Sequence, residues 1–216
     1  MDQPQSEEIQ HIGKLSVNNS CFYREYVLGD DTPEMRATSL VIGQMLQQPF
    51  FTEMRTNQQL GYIVWSYTRS RDETHYLSFV IQSGAFTADD VNQRADDFIA
   101  STPELLAAID DETFQQLKES AVEKLEKKPM SISERAYKLK TFIFEHDADF
   151  QRDQKTIAAL ETLQQSSTIE LLSKTIGTDT RRMVNFLMFA EQHENTTGAK
   201  STYNELKTWK ASRSYK

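Results

Sequence analysis

The sequence predicts an α+β fold: a mainly antiparallel sheet with helices packed on one face, in a single domain. Three observations predict it. Tyr62 to Thr68 and His75 to Ser83 are neighbouring strand patterns joined by a short polar connector, which suits an antiparallel hairpin. Helix-period stripes fill most of the chain between that hairpin and one late strand pattern, Arg182 to Ala190. The resulting order is strand, helices, two strands, several helices, strand. It groups helices between neighbouring strands, as expected where helices cover one face of a sheet.

Taken in order, Met1 to about Gly13 has Pro4, Ser6 and two glutamates and little to bury, so it reads as a leader or linker. Ser20 to Leu28 is a strand carrying Phe22, Tyr23, Tyr26 and Val27. Gly29-Asp30-Asp31-Thr32-Pro33 then turns the chain into a helix start, with proline suited to a first turn. Glu34 to Gln48 has so broad an apolar face that the helix should be largely buried, and Pro49 should interrupt or kink it. In the hairpin, Leu77, Phe79 and Ile81 alternate with Ser78, Val80 and Gln82, which marks one buried face.

From Thr87 the chain reads as helix, with Val91, Ala95, Phe98 and Ile99 in one stripe and Pro103 as an expected kink or break. Asp110 and Asp111 can cap the next helix, which ends near Pro129. Ser131-Ile132-Ser133-Glu134 has capping-box spacing and opens a helix with Ala136, Leu139 and Ile143 on one face. Ser167-Thr168-Ile169-Glu170 repeats the spacing before a helix closed by Gly177. From Glu191 the chain is polar, with a short docked helix expected around Leu206 and Trp209. The expected division is a flexible leader or linker at 1–14, the α+β domain at 15–190, and a polar connector and C-terminal tail at 191–216.

Composition narrows the function classes. The 216 residues suffice for a real core, and 38% hydrophobic with 26% charged residues is the balance of a soluble globular chain. A net charge of −8 argues against non-specific binding to nucleic acid or acidic membranes. No run approaches the ~20 apolar residues of a membrane span. With Cys21 as the single cysteine, an internal disulfide is impossible. A reducing compartment and an exported bacterial protein without disulfides both fit, so a periplasmic or cytoplasmic bacterial location is open.

The most informative stretch is Phe51-Thr52-Glu53-Met54-Arg55-Thr56-Asn57-Gln58-Gln59-Leu60-Gly61-Tyr62. Phe50, Phe51 and Met54 fall at helical spacing and can bury one side. Gly61 suits a left-handed helix end, after which the period changes to that of a strand. On composition alone, Arg55 is a cation near a helix C-terminus and Tyr62 an ordinary aromatic at a strand start. The run resembles the Leu-Arg-Thr-x-x-Gln-Leu-Gly-Tyr signature, preceded by phenylalanine, in the C-terminal half of the insulinase (pitrilysin) family of zinc peptidases. Met54 stands where that signature has leucine, a mild change of shape. The resemblance extends more weakly from about Phe22 to Phe189.

The resemblance implies a repeated α+β domain, two halves closing like a clamshell around a chamber, and this chain as the last domain of the half without the metal. It implies that Arg55 and Tyr62 bind substrate, leaning into the zinc site to hold its backbone and the scissile carbonyl oxygen. A guanidinium and a phenol donor suit developing negative charge. The family's zinc motif, His-x-x-Glu-His, is missing. His11, His75, His146 and His193 are too scattered for it, and a catalytic zinc needs three converging protein ligands. The expectation is therefore no metal and no catalytic residue in this chain, zinc in a partner N-terminal catalytic half, a peptide substrate, and no hydrolysis in isolation. Two alternatives stay open: a free-standing non-catalytic subunit of the same superfamily, and a protein-interaction module.

Overall fold

Alternate burial of the kind read at Leu77, Phe79 and Ile81 recurs across the sheet and sets the architecture. The computed structural model describes residues 7–212, so residues 1–6 of the expected leader and 213–216 of the expected tail lie outside the described residues. In chain order the elements are β1 (Glu7–Lys14), β2 (Ser20–Asp30), α1 (Pro33–Phe51), a π-helical turn (Thr52–Asn57), β3 (Ile63–Arg71), β4 (Thr74–Ser83), α2 (Ala88–Ala108), α3 (Asp111–Glu126), α4 (Ile132–Glu145), α5 (Arg152–Thr162), α6 (Gln165–Ile176), β5 (Arg182–Phe189) and α7 (Leu206–Ala211). The strands form one sheet in the order β1-β5-β2-β4-β3. Only the β1·β5 pairing is parallel, so the sheet is mainly antiparallel, as expected.

One face of the sheet carries the core. Phe22 and Tyr26 of β2, Val64 of β3, Leu77, Phe79 and Ile81 of β4, and Leu187 of β5 are buried there. Val41, Ile42, Leu46 and Phe50 of α1, with Val91, Ala95 and Ile99 of α2, close over them in the same cluster. Burying a side chain of this size stabilises the fold by about 1.5–3 kcal/mol. The Phe50 ring meets Phe79 at 5.1 Å and Phe98 at 5.2 Å, both edge-on, which favours one packing of α1 over its alternatives. That packing holds the C-terminal end of α1 against the hairpin.

The hairpin is longer and tighter than the sequence suggests. Its connector is the two-residue turn Asp72-Glu73, with φ of 48° and 57°. Two successive left-handed residues make the turn that matches strand twist. The usual signal for it, an Asn-Gly or Asp-Gly pair, is missing from this sequence.

Four other expectations are corrected. Residues 7–14 are not a leader: they form β1, paired in parallel with β5 from Glu7↔Arg182 to Lys14↔Phe189. Pro49 does not divide the first helix, since α1 runs through it to Phe51 and Phe51 itself is helical at φ −61°, ψ −47°. Pro103 does not break α2 either, and the reason is visible. The carbonyl that a proline at 103 leaves without its helical donor is that of Ile99, and the Thr102 hydroxyl donates to it at 2.7 Å. Finally, the Ser167 spacing is not a cap. The helix opens earlier, at Gln165, and the Ser167 hydroxyl donates to the Gln164 carbonyl inside the first turn.

The capping predicted at Ser131 is present. Its hydroxyl accepts from the Glu134 amide at 3.1 Å, and the Glu134 carboxylate accepts from the Met130 amide at 2.7 Å. The helix it opens, α4, buries none of its residues, although an apolar face was expected to pack. α5 has no counterpart in the sequence reading. The short helix α7 lies near Leu206 and Trp209 as expected. The segment before it docks on β1: the Thr202 amide donates to the Gln10 carbonyl at 2.8 Å, and Tyr203 stacks on His11.

Candidate functional site

Arg55 and Tyr62 are brought together where α1 hands the chain to β3. The helix does not simply stop. It widens into the π-helical turn Thr52–Asn57, whose last amide bond runs from Gln58 to the Glu53 carbonyl at 2.9 Å. π-Turns are rare because their hydrogen bonds pack poorly, and they recur at functional sites. Here the turn is anchored from inside by Met54 and Leu60, both buried, with the Leu60 amide reaching the Met54 carbonyl at 2.9 Å. From outside it is closed by Glu53. That carboxylate accepts from Gln58 Nε2 at 2.8 Å and Asn57 Nδ2 at 2.7 Å, and these bonds hold its pKa below the ordinary glutamate value.

The residue in the left-handed region is Gln59, at φ 52°, and not Gly61 as expected. Gly61 is required for a different reason. A Cβ on it would stand 1.9 Å from the backbone carbonyl oxygen of Gln82 on β4. The chain therefore passes flush against β4 at Gly61, and the next residue, Tyr62, is turned outward just before β3 begins.

Tyr62 is 83% exposed. Arg55, half-buried, donates from a guanidinium nitrogen to the Tyr62 backbone carbonyl. Its guanidinium carbon lies 4.4 Å from the centre of the Tyr62 ring and 5.4 Å from that of Phe51. A planar cation stacked on an aromatic face is held without being consumed: most of its five N–H donors stay available. The phenol and the guanidinium thus present neighbouring donors at one exposed corner. They can bind a peptide carbonyl or stabilise an oxyanion.

Sequence reasoning missed the supporting residues Glu53, Asn57, Gln58 and Gln59. Gln58 is tied in turn to α2, since Arg94 donates to its side-chain oxygen at 3.1 Å. A π-turn leaves no signal in a helical period, so only the spacing of Glu53 to Asn57 and Gln58 hinted at it.

The four histidines are dispersed. His11 pairs with Tyr203, His75 with Asp31, and His193 with Ser20, while His146 follows α4. Among the described residues, no three His, Cys, Asp or Glu side chains come together as a metal site. A zinc ion therefore has no fit within this chain's described residues. No helix there is long and apolar enough to cross a membrane.

A family model described as PQQ synthase PqqF-like, C-terminal lobe domain 4, matches residues 41–140. Insulin-degrading enzyme of Homo sapiens is 28% identical over 169 residues, which cover 77% of this chain and 16% of that protein. Protease 3 of Salmonella typhi is 26% identical over 136 residues, 63% of this chain and 14% of that one. The chain thus spans about one sixth of the length of these relatives. In fold it matches the crystal structure of pitrilysin with a TM-score of 0.78 at 19% identity, over 91% of this chain and 21% of that one. With the motif that ends at Tyr62, these likenesses support a relation to the insulinase/pitrilysin peptidases, and within them to a domain of the C-terminal lobe.

Proposed function

We propose that this domain positions peptide substrate in an insulinase-type zinc peptidase and forms part of the wall of its closed chamber, with no hydrolysis by this chain alone. One observation carries the reading. An exposed tyrosine and an arginine whose guanidinium lies over its ring are brought together where a π-turn joins α1 to β3. The zinc implied by the family is assigned to an N-terminal catalytic half, the partner of this domain, because the residues here do not fit it.

Within that partnership the roles follow from chemistry. Tyr62 donates its phenol proton as a hydrogen bond to the oxygen that gains charge when the scissile carbonyl is attacked. Arg55 holds the Tyr62 main chain and ring, and offers its remaining donors to the substrate backbone. In the assembled enzyme, Tyr62→Phe removes one such donor, which typically costs about 10²–10³ in kcat. The melting temperature stays unchanged, since the ring is solvent-exposed and retained. Arg55→Lys keeps the charge but loses the planar fork, and also lowers turnover. Normal turnover per folded molecule in Tyr62→Phe would overturn the assignment.

A further inference from the structure

The face of the sheet away from the helices carries a second constellation, at the far end of β3 from Tyr62. Its centre is Glu25, a carboxylate only 5% exposed. One oxygen of Glu25 is saturated. It accepts from Arg69 Nε at 2.8 Å and again from an Arg69 Nη, from the Tyr23 hydroxyl at 2.6 Å, and from the Ser78 hydroxyl at 3.0 Å. Four donors on a single oxygen fix Arg69 in place and neutralise the glutamate. Arg71 is held differently. It lies 3.7 Å from the other Glu25 oxygen and 4.0 Å from Asp72, both beyond hydrogen-bonding distance, and its side chain is 54% exposed. Its guanidinium carbon sits 4.9 Å above the Tyr76 ring.

These groups edge a shallow concavity of about 470 Å³, floored by Ile9, Val27 and Val184. Glu7 and Glu25 line it against Arg69, Arg71 and Arg182, an excess of one positive charge on a chain of net charge −8. We infer that this concavity is a binding site for a carboxylate carried by an extended peptide, with Arg71 as the principal contact and the apolar floor receiving the neighbouring side chains. The single excess charge suits one carboxylate. A polyanion such as a nucleic acid would instead meet the repulsion of the surrounding acidic chain.

Naming the ligand as a peptide rests on the proposed function, and the geometry extends it. At ~3.3 Å per strand residue, Arg69 and Arg71 stand about 23–30 Å from Tyr62 along β3. A substrate bound at Tyr62 would reach them with about seven to nine extended residues.

The test needs only the purified chain and no catalytic half. Two fluorescein-labelled ten-residue peptides, identical except that one carries a glutamate pair where the other carries glutamines, are titrated by anisotropy. The acidic peptide should bind more tightly at low salt, and 0.5 M NaCl should erase the difference. Arg71→Gln should weaken the acidic peptide by about three- to fivefold, the size of an exposed ion pair, and leave the neutral one alone. Arg71→Lys should restore part of the loss, while Lys127→Gln, an exposed charge elsewhere, should change nothing. Equal binding of the two peptides, or an acidic preference that persists undiminished in Arg71→Gln, would overturn the site. Loss of turnover in Tyr62→Phe alongside equal peptide binding would retain the substrate-positioning reading and discard this one.

Discussion

Gly61 shows how one residue can be read correctly in kind and wrongly in cause. The sequence marks it as the glycine of a left-handed helix end, but the left-handed residue is Gln59 and Gly61 serves a close approach to β4. No local pattern reveals an approach between residues 61 and 82, because it depends on how the hairpin folds back. The consequence is testable. Gly61→Ala would place a methyl 1.9 Å from the Gln82 carbonyl oxygen, a backbone atom that cannot swing aside as a side chain could. Overpacking of this kind costs about 1–3 kcal/mol. The strain falls one residue from Tyr62, so the variant should lose both stability and, in the assembled peptidase, turnover. Tyr62→Phe should lose turnover alone. Urea unfolding of the two variants side by side separates them, and a Gly61→Ala chain as stable as the parent would show that the approach to β4 is not enforced. Arg55 and Tyr62 themselves were legible because a motif names them. Their supports were not, since hydrogen bonds between polar side chains have no period.

At the scale of elements, helices and strands were legible wherever burial is periodic, and misread where a partner outside the element decides. α1 and α2 continue through their prolines because tertiary packing holds them, with Thr102 replacing the lost donor in α2. α4 has a good cap and an apolar stripe yet buries nothing, so its existence was legible and its packing was not. The join between β2, α1, α5 and β4 also lay beyond the sequence. Asp31, just after β2, receives Arg152 from α5, Arg36 from α1 at 3.3 Å and His75 from β4 at 2.8 Å. Burial alone would raise the Asp31 pKa. The hydrogen bonds from Arg152 and His75, with the charges of Arg152 and Arg36, hold it instead well below the usual carboxylate range. His75 shifts down, chiefly through burial and against the pull of Asp31. Its geometry agrees: a neutral ring can donate from Nε2 to Asp31, while Nδ1 is buried without a partner, where an added proton would find no acceptor.

Both shifts have the same sign for stability. His75 and Asp31 each bind protons more readily in the unfolded chain than in the folded one, so acidification favours unfolding. The His75 share is present above its unfolded pKa of about 6.5 and is lost as the pH falls below it, whereas the Asp31 share is lost only below about pH 4. Urea midpoints should therefore fall between pH 7 and 5, and His75→Gln should remove part of that slope. An unchanged slope in the variant would mean that His75 is not held neutral.

For the whole molecule, the fold class follows from the hairpin and the helical stripes, while the edge of the sheet does not. β1 carries Ile9 and Ile12 among polar residues and reads as a linker, because an edge strand with one half-covered face has little apolar alternation to show. Its place is fixed by two segments distant in sequence. On one side it pairs with β5 along all eight residues. On the other, its Gln10 amide donates to the Thr202 hydroxyl at 2.6 Å and its Ile12 amide to the Ser201 hydroxyl at 2.9 Å, so the 200–203 segment covers the outer edge. Removing residues 1–14 would thus do more than trim a tail. It would strip β5 of its outer partner, bare that edge to other chains, and release the segment leading to α7. For a chain of this size, each kcal/mol lost lowers Tm by about 2–4 °C. The ladder and the two isoleucine contacts together should lower it by about 5–10 °C, with aggregation on heating. Replacing Ile9 and Ile12 by serine in the full chain keeps the strand but removes its apolar contacts, and should produce a smaller drop without exposing the β5 edge. A truncated chain that melts with the parent and stays monomeric by light scattering would show that residues 7–14 are dispensable to the sheet after all.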